Sequence, residues 1–360
     1  MNRFYPVSGV GDKAAACFCL EARGKRLLLD LGEGPAPGQM PDVGDIGAVD
    51  AVLISHTHRD HVGGFPLLER LGNPPVFATA GAFSLMDGDF TRGGLLPAQG
   101  GTDVLGLRVS TGRTGHAPGG VWIHVDTGGG VLYCGDLCME SPLYVYDPPP
   151  LARIVVLDAS YGLDETPQAE RIAALRPLIE GGGLLLPIPA DGRGPEIAVH
   201  LMQAGSRIPA MDTAMKAMIA NLLTDNRGYV LDGAIPALER LQREAKTPGD
   251  PNDITLAASA SLLSGESARL AAAWESEKQP AIAFTGFMPP GSPARRLVEK
   301  KRAQFLRWNV HPRLSDNVAL VTQTGAGVVM PAFSDAGSNA PGWREAFAPA
   351  EVVLGPSVPL

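Results

Sequence analysis

Val52-Leu-Ile-Ser-His-Thr-His-Arg-Asp-His-Val-Gly-Gly64 places His56, His58, Asp60 and His61 within six residues, directly after the apolar run Ala51–Ile54. The apolar run reads as a short buried strand. Neutral imidazole nitrogens and a carboxylate oxygen form the ligand set that suits zinc. Four such groups on one strand-to-helix turn cannot all face a single ion. Alternate positions His56 and His58 can aim at one metal, and Asp60 and His61 on the next turn at a neighbour. A solvated His-rich loop is the bland alternative, and the density and order of the ligands speak against it. The stretch reads as a metal site.

The rest of the composition agrees with an enzyme built around such a site. The chain has 360 residues, 45% of them hydrophobic and 19% charged, with 44 Gly and 32 Pro. That is enough for one large domain or two with ample core, and it suits a loop-rich α/β protein better than a disordered or fibrous one. A net charge of −8 argues against adhesion to nucleic acid through the overall field, while leaving room for a local basic groove. Cys17, Cys19, Cys134 and Cys138 sit in apolar stretches without zinc-finger spacing, and reduced buried thiols imply a cytoplasmic setting. Neither a signal-type segment near Met1 nor a run of eighteen apolar residues occurs, so a soluble protein without a membrane segment is expected.

Further groups of the same chemistry recur at strand ends. Ala14–Leu20 and Arg26–Asp30 read as strands, the second ending in Asp30, which suits either a supporting carboxylate or a turn former. Thr79–Gly101 reads as a Gly-rich loop. Leu105–Ser110 is a strand before the loop that carries His116, and Val121–Asp126 with Gly130–Cys134 form a hairpin that runs into Asp136. His124, alone inside a strand, reads as structural. Ile154–Asp158 is an apolar strand ending in an acid; beyond it, 164–180 is helical, and strands alternate with helices through Ala281–Phe284, the mark of a parallel sheet with crossover helices.

His56-x-His58-x-Asp60-His61, the later His116, Gly135-Asp136 and Leu29-Asp30 resemble the ordered motifs of the metallo-β-lactamase fold, an αββα sandwich that binds one or two metals at one edge. The resemblance implies His56, His58 and His116 around a first metal, Asp60 and His61 around a second, Asp136 bridging, and Asp30 in support. Later pieces are similar to the β-CASP branch, nucleases that process RNA or DNA. These are Leu157-Asp-Ala-Ser-Tyr-Gly162, Pro187-Ile-Pro-Ala-Asp-Gly-Arg-Gly-Pro-Glu196, Ala258-Ser-Ala-Ser-Leu-Leu-Ser-Gly-Glu266, and Thr285-Gly followed by Gly291 and Arg296-Leu297. The implied organisation is a first metallo-β-lactamase segment over 1–164, a β-CASP-like α/β cap over 165–307, and a completing segment with tail over 308–360.

Two departures qualify the resemblance. Leu314-Ser-Asp-Asn317 stands where branch members carry a Ser-Ala-His-type turn, and Ala332 stands where a further His ligates the second metal. His311, six residues before Asn317, is a substitute through a local shift. On this reading Asp158 is left as the one acid for the leaving group, with Asp60 orienting the attack. The implied cofactor is Zn²⁺, one ion tight and one weak, with Mn²⁺ an alternative. The implied activity is phosphodiester hydrolysis, with RNA ahead of single-stranded DNA. The alternatives are hydrolysis of a small phosphodiester, ester or lactone, and a catalytically weakened nucleic-acid-binding or scaffold paralogue. Candidate substrate contacts are Arg193, Ser264, Arg296, His311 and Asn317, with a basic run from Arg295 to Arg313 that suits a phosphate track or a solvated helix face. Phe305 and Trp308 suit base stacking or core. A homodimer through the cap or the tail Ala340–Leu360 is a further possibility.

Overall fold

Period-two alternation along the strands divides the apolar residues between layers. The computed structural model describes residues 2–88, 93–277, 279–355 and 357–360. The first sheet begins with β1 (Arg3–Ser8), β2 (Cys17–Ala22), β3 (Lys25–Leu29), β4 (Ala51–Leu53), β5 (Val76–Thr79) and β6 (Gly94–Leu96). The second begins with β7 (Gly100–Val104), β8 (Leu107–Arg113), β9 (Val121–Val125), β10 (Val131–Tyr133) and β11 (Ile154–Asp158). A third sheet follows, from β12 (Leu184–Pro187), β13 (Ala210–Met211), β14 (Ile254–Ala257), β15 (Ala281–Phe284) and β16 (Gln304–Phe305). The chain then returns through β17 (Val328–Ala332), β18 (Glu351–Val352) and β19 (Val358–Pro359). Strand order is β19-β1-β2-β3-β4-β5-β6 in the first sheet, β18-β17-β11-β10-β9-β8-β7 in the second and β13-β14-β12-β15-β16 in the third.

The two larger sheets share one core. Phe18, Leu27 and Leu29 of the first meet Val109, Ile123, Tyr133, Val156 and Met330 of the second. The alternate residues face outward: Cys17, Cys19, Leu28 and Val52 pack under the 3₁₀ turns Phe65–Leu67 and Glu69–Leu71, and Val155, Leu157 and Val329 pack under helices Leu314–Thr324 and Ala336–Ala346. All four cysteines are buried and unpaired. This is the expected αββα sandwich. The third sheet is parallel throughout and is apolar on both faces, as an α-covered parallel sheet must be. Leu184 and Leu186 face helix Arg193–Gln203, while Leu185 and Phe284 face helix Pro293–Glu299. The helices that follow neighbouring strands β12 and β15 therefore lie on opposite faces, which opens a crevice beyond the carboxyl ends of those strands.

Several local readings shift. The strand expected at Ala14–Leu20 is Cys17–Ala22, and the helix expected from 164 starts at Gln168. The loop expected over Thr79–Gly101 contains the helical turn Ala80–Phe83 and β6, and its residues 89–92 lie outside the described ones. The tail offered as a dimer contact works within its own chain: Trp343 and Phe347 are buried against the second sheet, β18 extends that sheet, and β19 pairs with β1. Among the described residues no helix is long and apolar enough to cross a membrane.

Gly32 shows how tightly the sandwich grips the metal-type loop. A Cβ there would run into the backbone carbonyl of Asp60, a group with no side-chain freedom to yield. Gly32→Ala is expected to destabilise the protein by about 1–3 kcal/mol and to lower retained divalent metal. Urea melts and metal analysis of purified wild type and variant check this, and a variant matching wild type in both would contradict it.

Candidate metal centre

Loops at one edge of the sandwich converge on a cavity of about 530 Å³. Asp30 ends β3 with a φ of 57°, a left-handed conformation that Asp tolerates better than most residues. Its fully buried carboxylate accepts hydrogen bonds from Ser55 N at 2.7 Å, Ser55 Oγ at 2.6 Å and Tyr133 Oη at 2.6 Å, and His61 Nδ1 lies 2.7 Å away. This carboxylate fixes the start of the His-rich loop from behind.

In front of it, His56, His58, His116 and Asp136 each place one ligand atom within 4.8 Å of the others. Asp30, His56 and His61 form a second such group, and Asp136, Asp158 and His311 a third. The donors fit a divalent cation. His56 Nε2 and Asp136 Oδ1 are buried with no hydrogen-bond partner among the described residues, a costly state that a cation relieves. Burial pushes the pKa of His56 and His116 well below the ordinary imidazole value, which keeps them in the neutral, ligating form. Burial also opposes charge on His61, but Asp136 at 3.3 Å and Asp30 outweigh it and hold His61 well above that value. Asp60 is half-buried and lines the cavity, outside all three groups.

Of the two candidates from this segment, His311 and Asn317, the structure brings His311 to the acid. His311 Nδ1 lies 2.8 Å from Asp158 Oδ2 and 3.8 Å from Asp136 Oδ2, so Asp158 does not stand alone. Backbone N–H groups of Leu137 and Ser160 hold the two Asp158 oxygens at 3.0 and 3.1 Å. Asn317 does not face the cavity. It sits buried in the first turns of helix Leu314–Thr324 and donates from Nδ2 to the Asp158 carbonyl at 2.8 Å. Ala332 ends β17 opposite Asp158, and the next residue, Phe333, sets its ring 5.2 Å from that of His61. Ala332 therefore brings no donor where the resemblance placed a ligand, and the Phe333 ring packs into the sandwich core beside His61.

The cap supplies the opposite wall. From the carboxyl ends of β12 and β15 come Asp191, Arg193, Gly286 and Phe287, joined by Arg295, Phe305 and Arg307. A side chain at Gly286 would collide with the Arg193 guanidinium, so glycine leaves room for that group. Arg307 pairs with Asp164 at 2.8 Å and stacks on Tyr161 at 4.6 Å. Ser264 and Arg296 are not part of this wall: Ser264 stands at the residue before helix Gly265–Ala273 without a side-chain hydrogen bond to its first turn, and the Arg296 guanidinium donates to the Gly291 carbonyl. Trp308 is core, and His124 and His200 stay outside the ligand groups. Asp191, whose Oδ2 lies 3.3 Å from His58 Nε2, was missed by sequence reasoning although it stands inside the quoted Pro187–Glu196 turn.

A sandwich with this edge defines a metal-dependent hydrolase of the metallo-β-lactamase type with an inserted α/β cap. Residues 10–186 match the model of the metallo-beta-lactamase superfamily, so the chain carries a metallo-β-lactamase domain, and it is similar to RNA-processing nucleases of the β-CASP branch. It is 28% identical to ribonuclease TTHA0252 of Thermus thermophilus, over 84% of this chain and 83% of that protein. It is 24% identical to endoribonuclease ysh1 of Schizosaccharomyces pombe, over 81% of this chain but only 47% of that protein. Transcription termination factor FttA of Methanosarcina mazei is 24% identical over 60% of this chain and 42% of its own length. Among solved structures, a protein of unknown function from Enterococcus faecalis V583 superposes with a TM-score of 0.62 at 14% identity, covering 100% of both chains; that likeness shows the fold alone.

Glu196, on the helix that opens with Arg193, is fully buried. Burial pushes its carboxyl from 4.5 up to about 8, against the opposing pull of Trp308 and Arg193. Below the unfolded value both states hold the proton. Between the two values the unfolded chain releases it and the folded one does not, so stability falls as pH rises across that window, by up to about 1.4 kcal/mol per pH unit. Above about 8 the penalty is constant. Urea midpoints of wild type and Glu196→Gln from pH 5 to 8 should diverge with rising pH, the variant becoming relatively more stable; parallel curves would rule the buried neutral acid out.

Proposed function

We propose that this chain hydrolyses phosphodiester bonds in RNA with divalent metal held by His56, His58, His116 and Asp136. The observation that carries this reading is the Asp158–His311 pair, set within 4.8 Å of Asp136 at the rim of the ligand cluster. When bound, divalent metal supplies Lewis-acid polarisation of a phosphoryl oxygen and lowers the pKa of water to near 7. The protein's own groups supply the rest. Asp158, held by two backbone amides, orients the His311 imidazole so that its other nitrogen is free to deliver a proton to the leaving oxygen. The imidazole can do this near neutral pH, whereas an amide such as Asn317 cannot. Asp60, beside His58 on the cavity wall, is placed to orient the attacking water. Arg193 presents a planar guanidinium suited to a backbone phosphate, and Phe287 and Phe305, 49% and 41% exposed at the mouth, offer faces on which bases stack. The relatives named ribonuclease and endoribonuclease favour RNA as the polymer.

Zinc fits the nitrogen-rich donor set best. One tight ion is assigned to the cluster of His56, His58, His116 and Asp136. A second, beside His61, is weaker, because Ala332 offers no ligand where the resemblance has a histidine. The Asp158–His311 pair removes one of the two departures that favoured a weakened scaffold.

Cleavage of end-labelled single-stranded RNA with added Zn²⁺ or Mn²⁺ tests the reading. Wild type should cut and His58→Ala should not. His311→Ala should lose about 10²–10⁴-fold in rate while still binding RNA. Metal-loaded wild type that leaves RNA intact would refute the assignment. Calorimetric titration of the metal-free protein is expected to resolve one tight and one loose site, and two equally tight ions would contradict the account of Ala332.

A further inference from the structure

Each of the four histidines points one ring nitrogen toward the shared centre and the other toward an outer partner. His56 Nδ1 lies 3.1 Å from Ser55 Oγ, His61 Nδ1 2.7 Å from Asp30 Oδ2, and His116 Nδ1 2.7 Å from the Val310 carbonyl. His58 is turned the other way round. Its Nδ1 is 3.1 Å from His116 Nε2, in the centre, and its Nε2 faces out toward Asp191 Oδ2 at 3.3 Å. At that distance no aligned hydrogen bond is made, and His58 Nε2 has no other hydrogen-bond partner among the described residues.

Ser55 and Asp30 belong to the sandwich. Asp191 lies in the cap turn between β12 and helix Arg193–Gln203, and Val310 lies just beyond β16, where the chain leaves the third sheet. The cap turn is pressed close against the ligands. Gly192 has a φ of 60°, and a Cβ there would come within 3.2 Å of the His116 carbonyl and 3.6 Å of the His58 ring. Tyr144 Oη donates to the Gly192 carbonyl at 3.2 Å, pinning the turn.

We propose that Asp191 is a positioning residue of the metal centre, a cap carboxylate that holds His58 with Nδ1 inward, so that metal binding and cap docking are one linked equilibrium. A carboxylate behind a ligating imidazole fixes its tautomer and orientation and raises its basicity, and removing such a partner typically weakens metal binding about 10–100-fold. Linkage is reciprocal: whatever factor the docked cap contributes to metal affinity, the metal returns to cap docking. The inference rests on the assignment of His58 as a metal ligand.

The test is metal affinity measured by chelator competition, independent of turnover, for wild type, Asp191→Ala, Asp191→Asn and His58→Ala. Asp191→Ala should bind zinc about 10–100-fold more weakly, with Asp191→Asn recovering part of the loss through its side-chain carbonyl. Wild-type affinity in both Asp191 variants, with metal lost in His58→Ala, would overturn the role of Asp191 alone. Wild-type affinity in His58→Ala as well would instead bring down the ligand assignment. Hydrogen exchange gives the reciprocal readout. Zinc should slow exchange in helix Arg193–Gln203 of wild type and do so less in Asp191→Ala. Exchange in that helix indifferent to zinc in wild type would overturn the linkage.

Discussion

A buried carboxylate must be satisfied or it unfolds its surroundings, and Asp30 is the case on which this structure turns. Its partners come from three places: Ser55 at the start of the metal-type loop, His61 within that loop, and Tyr133 on β10 of the opposite sheet. One side chain therefore joins the two sheets, fixes the loop backbone and sets the ring of His61. The left-handed backbone at Asp30 is the local strain this junction tolerates, a cost of order 1–3 kcal/mol sustained by contacts on both sheets. The geometry of the ligand cluster is thus a property of the sandwich core, and the loop by itself could not hold it.

What the sequence made legible follows from this. His56, His58, Asp60 and His61 crowd one turn, so their spacing alone exposed the chemistry, and Asp136 and Asp158 were readable because each follows an apolar strand. His311 was harder. It enters the site from the segment after β16, 153 positions from its partner Asp158, and the turn that carries it lacks the small-residue pattern that would have marked it. Asn317, at the position where the resemblance has a histidine, is buried by helix Leu314–Thr324 against the Asp158 backbone. The basic run divides between its two readings: Arg295 and Arg307 line the cavity, while other members are tied down elsewhere. Arg302 donates to backbone carbonyls of Trp274, Glu275 and Pro280, and Lys300 pairs with Glu275, so charge counted along the chain overstates the charge free to meet a phosphate.

The cap contributes by topology rather than by motif. Because the helices after β12 and β15 pack on opposite faces of the third sheet, the carboxyl ends of those strands diverge and present their loops to the sandwich edge. The crevice of one fold meets the open edge of the other, and each supplies half the wall. Arg193 and Asp191 come from a single turn, one a cation facing the cavity and the other an anion facing His58. The turn therefore addresses the substrate side and the ligand side at once.

Ala332 and His311 together decide what kind of site remains. Ala332 ends β17 opposite Asp158 with no donor where the resemblance has a histidine, and the next ring, Phe333, packs into the core beside His61. His311 keeps a proton donor within reach of Asp136. These two positions act on different halves of the chemistry. Fewer ligands lower the occupancy of a second cation, which adding metal can restore, whereas loss of the acid removes a contribution of about 10²–10⁴-fold that no concentration of metal replaces. On the proposed assignment the chain keeps the half that cannot be supplied from solution, and that asymmetry is the physical argument for a working hydrolase with a metal-dependent second site over a relic of one.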